Sequence, residues 1–467
     1  MLIRSEPSIR KSASNNICAM TNETITLNRE STSPWWWIPT LYIAEGLPYF
    51  AVNTLTVLMY VNMGISIAEM AFFTGWLYLP WVIKPFWSPF VDLFGTKRKW
   101  TIIMQLLLAV CMAGVAFLLP TSIFFSSTLA MFWLIAFFSA THDIAADGYY
   151  MLELSSHDQA AYVGVRSTFY RIASVIGQGG LVMLAGHLET SLANIPLAWA
   201  YIFGILSLFF LTVGIYHMRK MPVAKDDVPV PGVTASTIIK DFCNTFVTFC
   251  SKPQIGSALA FMLLYRLPEA LCIKLVQPFF VSPRALGGLE LTTKQIGLIN
   301  GTIGVIALLL GGIVGGVAIS KGGLKKWLWP MAFSLTLPCM FYCFLAMFQP
   351  ENFILISLAV FLEQFGYGFG FSAYMLYLIY FSRGESQTSH YAFCTAFMAL
   401  GMMIPGMFAG WLHDYFMRFN IFGADGPQGF INFFWLVMLT CSATFIVCSN
   451  VKISQRFGKT DNHDNKS

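Results

Sequence analysis

The sequence predicts an all-α integral membrane protein of twelve transmembrane helices, arranged as two pseudo-symmetric six-helix bundles with both termini cytoplasmic. Three observations lead there. Of 467 residues, 56% are hydrophobic and 11% charged, with a mean hydropathy of +0.64, whereas soluble domains carry about 25% charge. Apolar runs of roughly 20 residues, the length that crosses about 30 Å of hydrocarbon, recur from end to end. The basic residues fall on alternate loops, as topology signals do.

In chain order, a polar N-terminal tail (1–34) holds Arg4, Arg10, Lys11 and Arg29 without a short apolar segment ending in a cleavage site, so no removable signal peptide is expected. Trp35, Trp36 and Trp37 open the first run at an interface-like position. The twelve spans fall at about 35–62, 67–91, 100–120, 124–152, 160–188, 195–218, 254–282, 293–319, 327–348, 352–382, 390–414 and 428–450. With the N-terminus inside, cytoplasmic segments take about 20 of the 28 Lys and Arg residues, including Lys97, Arg98, Lys99, Arg219, Lys220, Lys321, Lys325 and Lys326. Outside loops take Arg284, Lys294 and Arg418 alone. The tail 451–467 is polar and expected to be unstructured.

The chain changes character at 220–253. A Pro-rich stretch of mixed charge leads into Ile238, Phe242, Phe246 and Phe249, a helical stripe broken by Lys240, Asp241 and Asn244. This reads as an amphipathic helix on the cytoplasmic membrane surface, dividing bundle 35–219 from bundle 254–450. The halves echo each other. Glu45-Gly46-Leu47-Pro48 in span one matches Arg266-Leu267-Pro268-Glu269 in span seven. Proline beside charge within a span is the pattern of discontinuous helices at a transport site.

Ten charges lie inside spans: Glu45, Lys84, Asp143, Asp147, Arg166, Arg171, Arg266, Glu269, Lys274 and Glu363. An ionisable group at membrane depth needs a partner and is a functional candidate by default. Antiparallel neighbours at equal depth have position numbers of nearly constant sum. That rule predicts a ladder of Asp147 with Arg166 and Asp143 with Arg171, and sets Glu45 level with Lys84. The ladder is either a structural staple or a cytoplasmic-side gate that protonation of an Asp would weaken. Pro338 is the register counterpart of Glu363 and cannot answer a charge, so Lys274 is its expected partner. Glu363 therefore leads the proton-coupling candidates, followed by Asp143, Asp147 and Glu45. Glu363, Tyr367 and Tyr374 share a face, with Gly366, Gly368 and Gly370 allowing close helix approach. Tyr42, Glu45, Tyr49 and Asn53 form a second polar face, fit to line a cavity.

Other chemistries find little support. Residues His142 and Asp143 are adjacent and point about 100° apart on a helix, which makes no dyad. No metal spacing, phosphate loop or Ser/His/Asp arrangement is visible, so neither metal nor cofactor is expected. The ten cysteines are scattered through apolar runs as small core residues. The positive charge sits in short loops, which points to a lipid bilayer rather than nucleic acid.

Several motifs resemble those of one family. Twelve spans in two halves resemble the major facilitator superfamily. Lys84-Pro85-Phe86-Trp87-Ser88-Pro89-Phe90-Val91-Asp92 with Lys97, Arg98 and Lys99 resembles the span-two signature of AmpG-like muropeptide permeases and their acetyl-CoA transporter relatives. His142-Asp143-Ile144-Ala145-Ala146-Asp147-Gly148-Tyr149 resembles the family's paired-Asp segment, and Phe365–Ala373 and Gly401–Gly406 resemble its glycine motifs. The gate sequence departs from the superfamily pattern: Asp92 and Gly95 are present, but Leu93 follows the Asp where an Arg is usual. The resemblance implies a proton-coupled symporter in a bacterial inner membrane, a monomer importing an amphiphilic sugar or peptide solute such as an anhydromuropeptide. It places Glu45, the Asp pair, Arg266, Glu269 and Glu363 around a central cavity, with Arg166, Arg171, Arg266 and Lys274 available to an anionic solute. The other classes in play are a carrier of another sugar or acyl-CoA-type anion, an intramembrane acyltransferase using His142 or His187, and a non-transporting sensor.

Overall fold

A computed structural model describes residues 33–93, 95–154, 156–223, 235–384, 387–419, 428–455 and 457. The N-terminal tail to residue 32, the Pro-rich stretch 224–234 and most of the C-terminal tail lie outside them. No strand occurs among the described residues. Nine helical runs among them are long and apolar enough to cross a membrane, beginning with Lys97–Leu118 and ending with Gly429–Asn450. Three further segments of comparable length are interrupted helices, and they fall on predicted spans one, two and seven.

The first is α1 (Ile38–Phe50), a π turn (Ala51–Leu55) and α2 (Thr56–Asn62). The second is α3 (Ile67–Trp76) and α4 (Leu79–Leu93). Then follow α5 (Lys97–Leu118), α6 (Phe124–Glu153), α7 (Ser156–Ser174), α8 (Val182–Leu192) and α9 (Ile195–Lys220), with a π turn (Val175–Leu181) joining α7 to α8. After the linker helix α10 (Ala235–Cys250) comes the third interrupted segment, α11 (Ile255–Leu264) and α12 (Leu267–Val281). The remaining run comprises α13 (Thr293–Ile296), a π turn (Gly297–Gly304), α14 (Val305–Gly322), α15 (Leu324–Thr336), α16 (Met340–Phe348), α17 (Phe353–Ser382), α18 (Gln387–Phe416) and α19 (Gly429–Asn450).

Proline and charge interrupt the two echoing spans differently. Arg266 is the N-cap of α12 and Pro268 occupies its first turn, where a missing N–H costs nothing. In span one the backbone continues past Pro48 and widens into the π turn three residues later. Such turns concentrate at functional sites.

Packing follows small residues. Helix α17 lies between α15 and α14. A Cβ at Gly366 would stand 2.2 Å from the Ser334 carbonyl oxygen, and one at Gly368 would stand 2.1 Å from that of Leu308. The close approach expected of this glycine motif is therefore real. Residues before and after the linker meet where α3 packs on α18, α2 on α12, and α8 on α13.

The linker helix and the C-terminal tail both find protein contacts. Within the stripe of α10, Phe242 meets Phe86 of α4 at 4.8 Å and Phe393 of α18 at 5.3 Å, and Phe249 is fully buried against Phe381, Phe393 and Phe397. Ring-to-ring burial satisfies an aromatic stripe as well as lipid does. The tail beyond Val451 is also not wholly loose. Phe457 is buried against Tyr380 and Arg383, and its carbonyl accepts the Leu324 N–H at 2.9 Å.

Candidate functional site

A cavity of about 670 Å³ lies among the interrupted helices, α6, α7 and α17. From α1 and its π turn it is lined by Tyr42, Glu45, Tyr49 and Asn53; from α6 by Asp143; from α7 by Arg166 and Arg171. Arg266 and Glu269 at the break before α12, with Glu363 and Tyr367 of α17, form the facing wall. Most residues singled out in the sequence thus surround one volume. Four do not. Asp147 lies behind Arg166, Lys84 lines a smaller neighbouring cavity of about 220 Å³, and Lys274 and Tyr374 are buried away from both.

Of the ten intramembrane charges, three pairs form. Arg166 Nη2 meets Asp147 Oδ1 at 2.6 Å, as the register predicts, and its guanidinium lies over the ring of Tyr42 at 4.6 Å. Arg266 grips Glu269 bidentately, at 2.8 and 2.7 Å, and gives a third hydrogen bond to Tyr367 Oη at 2.9 Å. The third pair corrects the sequence reading: Asp143 pairs with Lys84 at 3.7 Å and accepts from Trp81 Nε1 at 3.3 Å, instead of meeting Arg171. The register rule compares only helices adjacent in sequence, whereas α4 packs directly on α6 and brings Lys84 to the carboxylate first. Glu45 therefore loses its expected partner Lys84. It stays buried within electrostatic reach of Asp143, Asp147 and Arg166, and its Oε2 has no hydrogen-bond partner.

The expected Glu363–Lys274 bridge is likewise absent. Glu363 Oε2 accepts from Tyr342 Oη at 2.9 Å and from Gln364 Nε2 at 2.8 Å, both neutral donors. Tyr342 lies one helical turn from Pro338, so the hairpin register erred by one turn and missed the residue that answers the acid. Lys274 turns instead toward α3, where its ammonium donates to the Thr74 carbonyl at 3.3 Å and hydroxyl at 3.2 Å. Glu269, Ile273 and Val276 carry the cavity face of α12, and Lys274 lies off it. Tyr374 donates to the Met262 carbonyl at 2.6 Å, tying α17 to α11.

Sequence reasoning named Tyr49 but missed its aromatic partners Tyr78 and Trp81. Tyr49 and Tyr78 share a hydroxyl–hydroxyl hydrogen bond, and Trp81 stacks edge-on to Tyr49 at 5.5 Å. Tyr78, Trp81 and Lys84 recur at intervals of three, a near-helical spacing that could have flagged the face.

His142 belongs to a buried chain outside the cavity. Gln105 Nε2 donates to His142 Nε2 at 2.9 Å, His217 Nδ1 donates to Gln105 Oε1 at 2.9 Å, and Thr40 Oγ1 donates to His217 Nε2 at 2.8 Å. This chain knits α1, α5, α6 and α9. His187 is exposed, and neither histidine lines the cavity. In the basic turn, Gly95 has φ +97, Thr96 caps α5 through the Lys99 N–H, and Lys97 lies along Gly148. Arg98 donates to the Met221 and Met218 carbonyls at the end of α9, the ordinary answer to unpaired C-terminal carbonyls. The Asp92 side chain lies outside the described residues.

Comparison with known proteins agrees with this architecture. The profile of the Major Facilitator Superfamily matches residues 40–381. The anhydromuropeptide permease of Escherichia coli strain K12 is 26% identical over 380 residues, covering 79% of this chain and 72% of that protein. Among solved structures, a point mutant of the nucleoside transporter NupG superposes with a TM-score of 0.67 at 13% identity, covering 89% of this chain and 99% of the other. A D-xylose–proton symporter gives 0.64 at 12% identity, covering 91% and 98%. The matches exclude the acyltransferase reading and make the protein a multi-pass membrane transporter rather than an enzyme. Its interrupted helices, its central cavity and these matches place the chain in the Major Facilitator Superfamily, with similarity to AmpG-type permeases.

Proposed function

We propose that the protein is a proton-coupled importer of an amphiphilic, anionic sugar–peptide solute such as an anhydromuropeptide, working by alternating access in a bacterial inner membrane. In this reading the three interrupted segments complete a count of twelve spans. The linker 220–253 divides two six-helix bundles, the termini are cytoplasmic, and the unit is a monomer. The observation that carries the coupling is Glu363. It faces the cavity, is buried, and is held by Tyr342 and Gln364 without a cation. Such a carboxyl can take and release a proton without breaking an ion pair, and buried acids of this kind mark proton relays in transporters. The solute class rests on the similarity to the permease above and on the cavity, whose volume suits a molecule of several hundred daltons.

Uptake into proteoliposomes under an imposed pH gradient tests this reading. Labelled anhydromuropeptide should accumulate above its external concentration, and an uncoupler should collapse the accumulation. Accumulation that survives the uncoupler overturns proton coupling.

A further inference from the structure

We propose that Arg171 is the anchor for the anionic group of the transported solute, and that unanswered acceptors of the residues lining the cavity select solutes rich in hydrogen-bond donors. The assignment rests on the transporter reading above and narrows it to a residue and a chemical class.

Elimination among the cations comes first. Of the five intramembrane cations, four are committed: Arg166 to Asp147, Arg266 to Glu269 and Tyr367, Lys84 to Asp143, and Lys274 to Thr74. Arg171 is half-buried, lines the cavity, and makes no hydrogen bond or ion pair among the described residues. A guanidinium at this depth without a partner is costly, and its planar fork fits a carboxylate bidentately. Polar neighbours continue the face. Ser167, Ser174 and Gln178 stand four residues before, three after and seven after Arg171, and all three line the same cavity. Gln178 Nε2 donates to Ser174 Oγ at 2.9 Å, which leaves that hydroxyl's own proton available.

The rest of the wall has the opposite demand. Four buried acceptor atoms of cavity residues have no hydrogen-bond partner among the described residues: Glu45 Oε2, Asn53 Oδ1, Asp143 Oδ1 and Gln277 Oε1. Buried acceptors left unanswered are unfavourable. A solute that supplied hydroxyl, amide or ammonium hydrogens would answer them. A neutral sugar would leave Arg171 without an anion, and an apolar anion would leave the four acceptors unmatched. The occupant that satisfies both is a carboxylate-bearing molecule with several N–H or O–H groups. Aromatic rings of Tyr49, Tyr170 and Phe371 line the same volume and offer apolar faces to a sugar ring.

The test uses the full chain in proteoliposomes and two labelled probes: an anhydromuropeptide with free carboxylates, and the same compound with every carboxylate converted to a primary amide. Wild-type protein should prefer the acid. Arg171→Gln should raise KM for the acid by about 10- to 100-fold, the range expected for a lost charge-assisted bidentate contact, and leave KM for the amide within about twofold. Arg171→Lys should fall between, keeping the charge but losing the fork. Equal effects on both probes, or no effect on either, overturn the assignment even if transport itself is proton-driven. Wild-type protein that moves neither probe overturns the solute class proposed above and this assignment with it.

Discussion

Gly179 and Gly301 meet backbone to backbone: a Cβ on Gly301 would stand 1.9 Å from the Gly179 Cα. Each sits in a π turn, Val175–Leu181 and Gly297–Gly304, and these turns pack against each other. Nearby, a Cβ on Gly186 would stand 2.4 Å from the Lys294 backbone nitrogen. No side chain fits at Gly301, whereas a Cβ on Gly179 would stand 3.1 Å from the Gly301 carbonyl carbon, a tight contact.

In the proposed alternating access these segments part and rejoin. Gly301→Leu should wedge them apart and reduce uptake by about tenfold or more, since packed interfaces do not deform continuously. Gly180→Ala is the control, because a Cβ there meets nothing within 4 Å, and its uptake should match wild type. Initial-rate uptake in proteoliposomes decides it. A Gly301→Leu protein with normal rates would mean the contact is not part of the cycle.

Arg166 and Asp147 invite a double-mutant cycle. Both side chains are about one-third exposed, at 32% and 34%, so the coupling should be nearer about 1–2 kcal/mol than the 3–5 of a fully buried pair. Asp147→Asn and Arg166→Gln should each lower the melting temperature in detergent, with the double variant losing less than the sum of the two. Strict additivity would show that the pair contributes no mutual stabilisation.

This pair also shows what the sequence could tell. The helix ranges, the break at Arg266 and the close approach of α17 were legible because hydropathy, proline and glycine act locally. The Asp147–Arg166 contact was legible because a hairpin imposes its own register. Contacts between helices distant in sequence were not. Asp143 with Lys84, Lys274 with Thr74, and Glu363 with Tyr342 depend on helix rotation and neighbour choice, which no sum of position numbers contains. The unpaired state of Arg171 was hidden for the same reason, since it follows only once every other intramembrane cation has found its partner.

Glu363→Gln separates coupling from carriage. The amide preserves the bulk and can still accept from Tyr342, but it cannot carry a proton. Wild-type uptake should rise as the external pH falls, and the variant should lose that dependence and fail to concentrate solute. Exchange of labelled for unlabelled solute at equal pH should continue at a rate within about threefold of wild type, because the cavity is otherwise intact. A variant that still concentrates solute removes Glu363 from the mechanism and returns attention to Glu45, the other buried acid that forms no ion pair among the described residues.

Glu189 fastens the end of the molecule at which Asn62 closes α2. Its carboxylate accepts from Asn62 Nδ2 at 2.8 Å, Trp199 Nε1 at 2.7 Å and Thr293 Oγ1 at 2.5 Å. Asn62 also donates to Thr293 at 2.9 Å, so residues before and after the linker share one network. Hydrogen bonds to a charged group contribute about 1.5–3 kcal/mol each. Of the three only the bond from Thr293 crosses the linker, so Glu189→Ala removes one hydrogen bond that closes this end and should shift the population toward an arrangement open there. Losing even 1.4 kcal/mol of bias changes that population about tenfold. The cavity wall holds Cys272, a native thiol suited to reading this out in a background where it is the sole cysteine. A membrane-impermeant maleimide applied from the Glu189 face should label Cys272 about tenfold faster in Glu189→Ala than in wild type, by the same population shift. Thr293→Val, which removes both of these side-chain hydrogen bonds across the linker, should give an increase at least as large. Labelling at the wild-type rate in both variants would show that glycine packing alone holds this end shut.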